Sequence, residues 1–242
     1  SSISSGGTAS MASGAASLAK RCLVVLALLL LAGPAQAESF SEFLRHFEPR
    51  AVAAGISPAV YERATNGLTP DPKIPHLVTA QPEFATPIWS YLDARITTSR
   101  ISRGKAGMAA NQAAFTAVGK KYGVDPAILG AIWGIETDYG AVLDSKTLIR
   151  PIIRSLATLC FKKRGRVALD EAEFIAALQL VERGPLDAQS LVGSGAGAVG
   201  HLQVNPPTIL KYGTDGDGDG RIDLLTGKRF WAHMANDPGA KD

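Results

Sequence analysis

Between Gly123 and Gly140 the chain reads G-V-D-P-A-I-L-G-A-I-W-G-I-E-T-D-Y-G. Asp125 is a good N-cap, Pro126 suits a first helical position, and Gly140 suits the position after a last turn. These signals predict a short, mostly apolar helix carrying a single carboxylate, Glu136, near its end. Glu136 follows Ile132 by four residues and Leu129 by seven, which predicts that it shares their side of the helix, the side expected to be buried. Burial disfavours the charged form of a carboxyl and raises its pKa. An acid that keeps its proton near neutral pH can protonate a leaving group, as glycosidic bond cleavage requires. Asp138, two residues on, is expected on another face.

The rest of the chain also reads as helices. Phe40, Phe43, Leu44, Phe47 and Val52 recur at helical spacing between Ser39 and Ala54. Ser57-Pro58 opens a second helix that runs to about Asn66-Gly67. Pro70, Pro72, Pro75, Pro82 and Pro87 punctuate a loop-rich stretch, after which Pro87–Ile96 holds a helix with Trp89, Tyr91 and Leu92. Arg100–Tyr122 reads as one longer helix closed by Gly123. Helices are also predicted over Arg154–Phe161 and Leu169–Arg183, the latter with a core stripe of Phe174, Ala177, Leu178 and Val181. Ser190–Gln203 is different: glycines at 193, 195, 197 and 200 let main chain approach another surface, as a flexible loop or as the wall of a ligand groove. No strand precedes a helix there, which excludes a phosphate loop. No alternating strand pattern and no internal repeat occurs, so the fold is expected to be mostly α.

Residues 1–37 are read as a leader rather than as fold. From Met11, Lys20 and Arg21 precede an apolar run from Cys22 to Ala32, and Ala35-Gln36-Ala37 is an A-x-A cleavage signal. The leader holds two of the 25 Lys and Arg and none of the 22 Asp and Glu, so the remaining, roughly 205-residue chain is close to neutral and carries no nucleic-acid signature. Of the two cysteines, Cys22 falls in the leader, and Cys160 lies among Leu156, Leu159 and Phe161, where a buried structural thiol is expected. His46, His76, His201 and His233 are scattered, and none has metal-ligand spacing.

Taken together, G-I-S-P (55–58), G-L-T-P-D-P (67–72), Q-P-E-F (81–84), W-x-Y-L (89–92), I-W-G-I-E-T-D-Y-G (132–140), R-S-L-A-T-L (154–159), G-S-x-A-G-A-x-G-H-x-Q (193–203) and D-G-D-G-D-G-R (215–221) resemble the soluble periplasmic form of the lytic murein transglycosylase B family. The resemblance runs from about Phe43 to Leu224. It implies a lysozyme-like helical fold, with a leader over 1–37, an N-terminal helical segment over 38–120 and a catalytic core over 121–242. It also implies cleavage of the β-1,4 bond between N-acetylmuramic acid and N-acetylglucosamine in peptidoglycan, closing a 1,6-anhydro ring without water. The family's single catalytic acid falls on Glu136, and its substrate-binding side chains fall on Ser194, Gln203 and Tyr91. The chemistry needs no cofactor. The implied setting is a periplasmic monomer acting on glycan strands, with other cell-wall enzymes as further partners.

Asp215, Asp217 and Asp219 stand at the first, third and fifth positions of an EF-hand-like loop over 215–226, with the Arg221 carbonyl as a further ligand, so a structural calcium ion is expected. Thr226 stands where such a loop needs its late bidentate carboxylate. The chain also departs from the family at Gly195, Val199, Val204 and Ile209, where the family has three aromatics and a methionine. After Leu224 the resemblance fades, and a C-terminal truncation is expected. These departures motivate a second expectation, a non-catalytic peptidoglycan-binding remnant.

Overall fold

The computed structural model describes residues 38–75, 86–163, 165–184 and 187–214. Residues 1–37, the Q-P-E-F stretch and the 215–226 segment, on which the leader and calcium-loop expectations fall, lie outside the described residues. The described chain from Phe40 onward belongs to one compact unit. In chain order it forms α1 (Phe40–Ala53), α2 (Pro58–Thr65), α3 (Ile88–Arg95), α4 (Thr98–Ala110), α5 (Gln112–Tyr122), α6 (Pro126–Thr137), a 3-10 turn (Ala141–Asp144), β1 (Ile149–Pro151), α7 (Ile152–Lys162), α8 (Val167–Arg183), β2 (Val192–Ser194) and α9 (Pro206–Tyr212). The fold is mostly α, as expected, with one small antiparallel ladder in which Ile149 faces Ser194 and Pro151 faces Val192.

Helix α7 is the centre of the larger core. Ile152, Ile153, Leu156, Ala157, Leu159 and Cys160 are all buried, against Phe43, Leu44 and Phe47 of α1, Tyr61 of α2, and Phe174, Leu178 and Val181 of α8. Two adjacent isoleucines in a first helical turn cost a few tenths of a kcal/mol each in propensity. Burying each contributes about 1.5–3 kcal/mol, so packing decides the conformation. Cys160 is the buried thiol anticipated above, and its surroundings hold its proton firmly. The 67–72 stretch is tied down by polar contacts: Arg154 donates to the Thr69 and Pro70 carbonyls, and the Asp71 carboxylate pairs with Arg150 at 3.3 Å.

A second, smaller core surrounds α6. It comprises Ala114, Phe115 and Trp133, with Met108, Leu129, Tyr139 and Leu202 packed against it. Asp125 caps α6 through a 2.8 Å bond from the Ala127 amide, and Ser57 caps α2 while donating to Glu182. Two expectations need correction. Arg100–Tyr122 is two helices, because Asn111 leaves helical geometry and its side chain turns back to donate to the Gly107 carbonyl. Helix α6 ends at Thr137 rather than just before Gly140, because Asp138, Tyr139 and Gly140 all adopt left-handed φ values of 51°, 60° and 92°.

The buried side of α6 is Gly130, Trp133, Gly134 and Thr137. A Cβ at Gly130 would overlap Met108, and one at Gly134 would overlap the Tyr139 ring, whose hydroxyl also fills the space at Gly104 of α4. Glycine at these positions sets how closely α4 and the end of α6 approach. Alanine at a helical glycine ordinarily stabilises by about 0.5–1 kcal/mol. Gly134→Ala is expected to destabilise instead by about 1–3 kcal/mol, because it overpacks against Tyr139. In a Tyr139→Leu background the same substitution is expected to cost less in urea unfolding, and an equal cost in both backgrounds would locate the effect elsewhere.

Candidate active site

Glu136 lies in the last turn of α6. The expectation that it shares a buried side with Leu129 and Ile132 is not met: Glu136 is exposed, Ile132 is 43 % exposed, and Leu129 is only half-buried. The helix turns its glycine-bearing side inward, since only that side allows α4 and Tyr139 to approach closely. The direction of the pKa expectation nevertheless holds. Partial desolvation pushes the Glu136 carboxyl above the ordinary carboxylate range, and the positive charge of Arg95 pulls the other way.

Asp138 differs from Glu136 in every respect. Arg103 Nη2 donates to both of its carboxylate oxygens at 2.8 Å, and Arg100 Nε donates to Oδ1 at 3.2 Å. These bonds hold its pKa below the ordinary range. A non-glycine residue in left-handed geometry costs of order 1–2 kcal/mol, and Asp138 and Tyr139 are two in succession. The arginines fix the first, and the second is fixed by its ring, set edge-on to Trp133 with centroids 5.2 Å apart.

The glycine-rich segment is a packed turn, not a flexible loop. The Ser194 amide donates to the Ala198 carbonyl at 2.8 Å, and single bridges join Val199 to Gly193 and to Val204. A Cβ at Gly193 would overlap the Ala198 carbonyl. Ser194 Oγ accepts from the Ala198 amide at 3.1 Å, and Gln203, itself at φ 49°, donates from Nε2 to the Gly200 carbonyl at 2.8 Å. The structure therefore brings Ser194 and Gln203 into one turn, each bonded within it. Tyr91, half-buried on α3, lies under the Arg95 guanidinium at 5.2 Å.

His201 was assigned no role from sequence, yet it joins the glycine segment to α6. It is 4 % exposed. Trp133 Nε1 donates to its Nδ1 at 3.0 Å, and Thr137 Oγ1 donates to its carbonyl at 2.8 Å. The Trp133 bond requires Nδ1 to be an acceptor, which is the neutral imidazole, and burial lowers the pKa in the same sense. Gly140 leaves room for the ring. A local signal for this contact is lacking, because its partners are 64 and 68 residues away.

A cavity of about 890 Å³ meets α6 through Trp133 and Asp138 and is bounded by Arg103, Asn111, Asp144 and His201; Glu136 is not in its lining. Among the described residues no group of three or more His, Cys, Asp or Glu is arranged to hold a metal ion. The calcium-ligand residues expected from sequence, Asp215, Asp217, Asp219 and Arg221, lie outside the described residues. Among those described, no helix is long and apolar enough to cross a membrane.

The chain matches the transglycosylase SLT domain family over residues 39–229. It is 38% identical over 103 residues to the membrane-bound lytic murein transglycosylase B of Escherichia coli, a match covering 43% of this chain and 27% of that enzyme. Among solved structures it resembles SltB3 of Pseudomonas aeruginosa, seen in complex with NAG-anhNAM-pentapeptide and with NAG-NAM-pentapeptide, with a TM-score of 0.73 and 35% identity over 82% of this chain and 52% of that one. It also resembles the Escherichia coli lytic transglycosylase SLT35 in complex with bulgecin A, with a TM-score of 0.67 and 25% identity over 84% of this chain and 62% of that one. The chain therefore spans about half the length of the solved SltB3 chain.

The Asp138 ion pairs have a pH signature. A carboxylate with a depressed folded pKa stabilises fully above its unfolded value of about 3.9 and loses that contribution as pH falls through the lower folded value. Asp138→Asn is expected to lower the melting temperature at pH 7, with the gap to the parent closing in acid below about pH 4. A gap that stays constant through that window would show that the ion pairs contribute nothing to folding.

Proposed function

The chain belongs to the transglycosylase SLT-domain family, of the lytic murein transglycosylase B type, and we propose on that footing that it cleaves the β-1,4 MurNAc–GlcNAc bond of peptidoglycan with formation of 1,6-anhydroMurNAc. The observation that carries this reading is the contrast between two neighbouring acids. Glu136 has its proton affinity raised, while Asp138, two residues on, is held as a carboxylate by two arginines. One proton donor is therefore on offer, without a free partner beside it on the helix. A glycosidase that hydrolyses with two carboxylates needs the second as nucleophile or as base for water. An intramolecular nucleophile removes that need.

In the proposed cycle Glu136 gives its proton to the glycosidic oxygen as the bond from that oxygen to the muramyl anomeric carbon breaks. The muramyl 6-hydroxyl oxygen then bonds to the same carbon, and its proton passes to the Glu136 carboxylate. The acid ends the cycle protonated, and no water is consumed. The glycan completes the desolvation that the free protein leaves partial. Ser194 and Gln203 line the substrate from the packed turn, and Tyr91 does so from α3. The protein acts as a periplasmic monomer exported by its leader, alongside other cell-wall enzymes. The binding-only alternative rests on the departures at Gly195, Val199, Val204 and Ile209 and on the fading resemblance after Leu224, and the family match favours the enzyme.

Glu136→Gln is expected to reduce release of 1,6-anhydromuropeptides from purified sacculi by about 10²–10⁴-fold, read by mass spectrometry, with the melting temperature unchanged. Reducing-end products from the parent protein would instead indicate hydrolysis, and full activity in Glu136→Gln would remove that residue from the chemistry. The loop bearing Asp215, Asp217, Asp219 and the Arg221 carbonyl is proposed to take calcium as a structural ion, on the strength of its sequence pattern, with no part in bond breaking. Calcium is then expected to raise the melting temperature and a chelator to reverse the rise; indifference to both would remove the ion from the account.

A further inference from the structure

Helix α8 buries an acid, Glu173, that is only 2 % exposed and stands next in sequence to Phe174 of the core stripe. A carboxyl so placed is costly unless it is hydrogen-bonded, and a leucine would fill the same helical position without that cost. Its polar contacts therefore account for an acid here, and they go to the glycine-rich turn. Asn205 Nδ2 donates to Glu173 Oε1 at 3.2 Å. The second carboxyl oxygen faces Gly197: a Cβ on that glycine would overlap Leu156 of α7 and stand 3.3 Å from Glu173 Oε2. Gly197 also holds a φ of 102°, so glycine meets both demands at once. Arg166, more than half of whose side chain is exposed, adds a weak pairing to Oε1 at 4.0 Å.

Asn205 points the same way. It is the N-cap of α9, where an asparagine side chain ordinarily accepts from a backbone amide of the first turn. Here it makes no such bond, and its amide group is turned to α8 instead. Asparagine has N–H donors to offer, whereas aspartate, an equally good cap, has none when ionised. The two contacts with Glu173 bracket the turn. Gly197 lies three residues after Ser194, and Asn205 lies two after Gln203. Between them the chain is closed on itself by the Val199 bridges and by the bonds of Ser194 and Gln203. A shift at either contact is therefore carried to both side chains. His201 fixes this turn to α6, and Glu173 fixes it to α8.

We propose that Glu173 is a positioning residue, which through Asn205 and Gly197 sets where Ser194 and Gln203 meet the glycan. The inference rests on the function proposed above. Glu173 touches no substrate atom. It governs the grip on the strand rather than bond breaking, because the proposed acid stands on a different element, α6.

The test exchanges donor and acceptor. Asn205→Asp keeps a good helix cap but sets a carboxyl against Glu173 with no N–H to give. Adding Glu173→Gln supplies the donor from the other side and restores the bond in reverse. With soluble, uncrosslinked glycan strands as substrate, Asn205→Asp is expected to raise KM about 5–10-fold with kcat within about twofold of the parent, and the double variant to bring KM back to within about twofold. A purely structural pairing would change the melting temperature and leave KM alone. An unchanged KM in Asn205→Asp, or a rise that the exchange does not reverse, overturns the proposal. If Asn205→Asp does not fold, Asn205→Ala removes the donor without adding charge, and the same rise in KM is expected. The turn is also read without turnover: in nitrogen-resolved NMR of the free protein, the Ser194 and Gln203 amide signals are expected to shift in Asn205→Asp and to return in the double variant. Signals that do so in a protein releasing no anhydromuropeptide would refute the reaction and keep the clamp. Product release with signals that ignore both substitutions would refute the clamp and keep the reaction.

Discussion

One buried contact joins the two halves of the candidate site. His201, from the glycine-rich turn, accepts from the indole of Trp133 and, through its carbonyl, from the hydroxyl of Thr137. Both donors sit on the inner side of α6, so the turn bearing Ser194 and Gln203 is fixed to the helix bearing Glu136. Each bond is worth only about 1 kcal/mol net, but a buried polar group deprived of its partner costs about 1–3 kcal/mol, so the pairing is enforced by what its loss would expose. It also selects the neutral imidazole. The contact forms only because Gly140 leaves the ring its space.

Around this joint the structure spends conformational strain where it fixes geometry. The end of α6 runs through left-handed residues at Asp138 and Tyr139, which a free chain would avoid. Two arginines of α4 and a slot between two glycines hold them there. Strain sustained in this way, one turn from the proposed acid, is the pattern expected of a preorganised site. The same arginines hold Asp138 as a carboxylate, so the contrast between the two carboxyls follows from their surroundings.

Local chemistry made much of the fold legible. The caps at Ser57 and Asp125, the prolines after them and the stripe of Phe174, Ala177, Leu178 and Val181 read correctly because each depends on residues within a turn or two. The break at Asn111 was hidden, since neither proline nor glycine marks it and a side-chain bond to Gly107 supplies it. Helix α9 went unread behind Pro206 and Pro207, although proline at the first position is a start signal. The inward side of α6 was misjudged because periodicity rewards bulk, whereas the helix buries the side that lets neighbours come close. The proposed acid was singled out from its flanking motif. The surroundings of α6 were not legible, since Arg100, Arg103 and His201 act across 35 to 68 residues of chain, and nothing in a linear pattern announces such pairings.

The exposure of Glu136 has a consequence for a resting protein. A side chain at the surface trades its hydrogen with bulk water freely, without waiting for any opening of the structure. On the proposed mechanism, the fraction of molecules holding the proton is therefore set by the acidity of the surroundings before a strand ever arrives. A glycan that covered that carboxyl would stop the exchange, and each molecule would then proceed or stall with whatever charge it carried at the moment of capture.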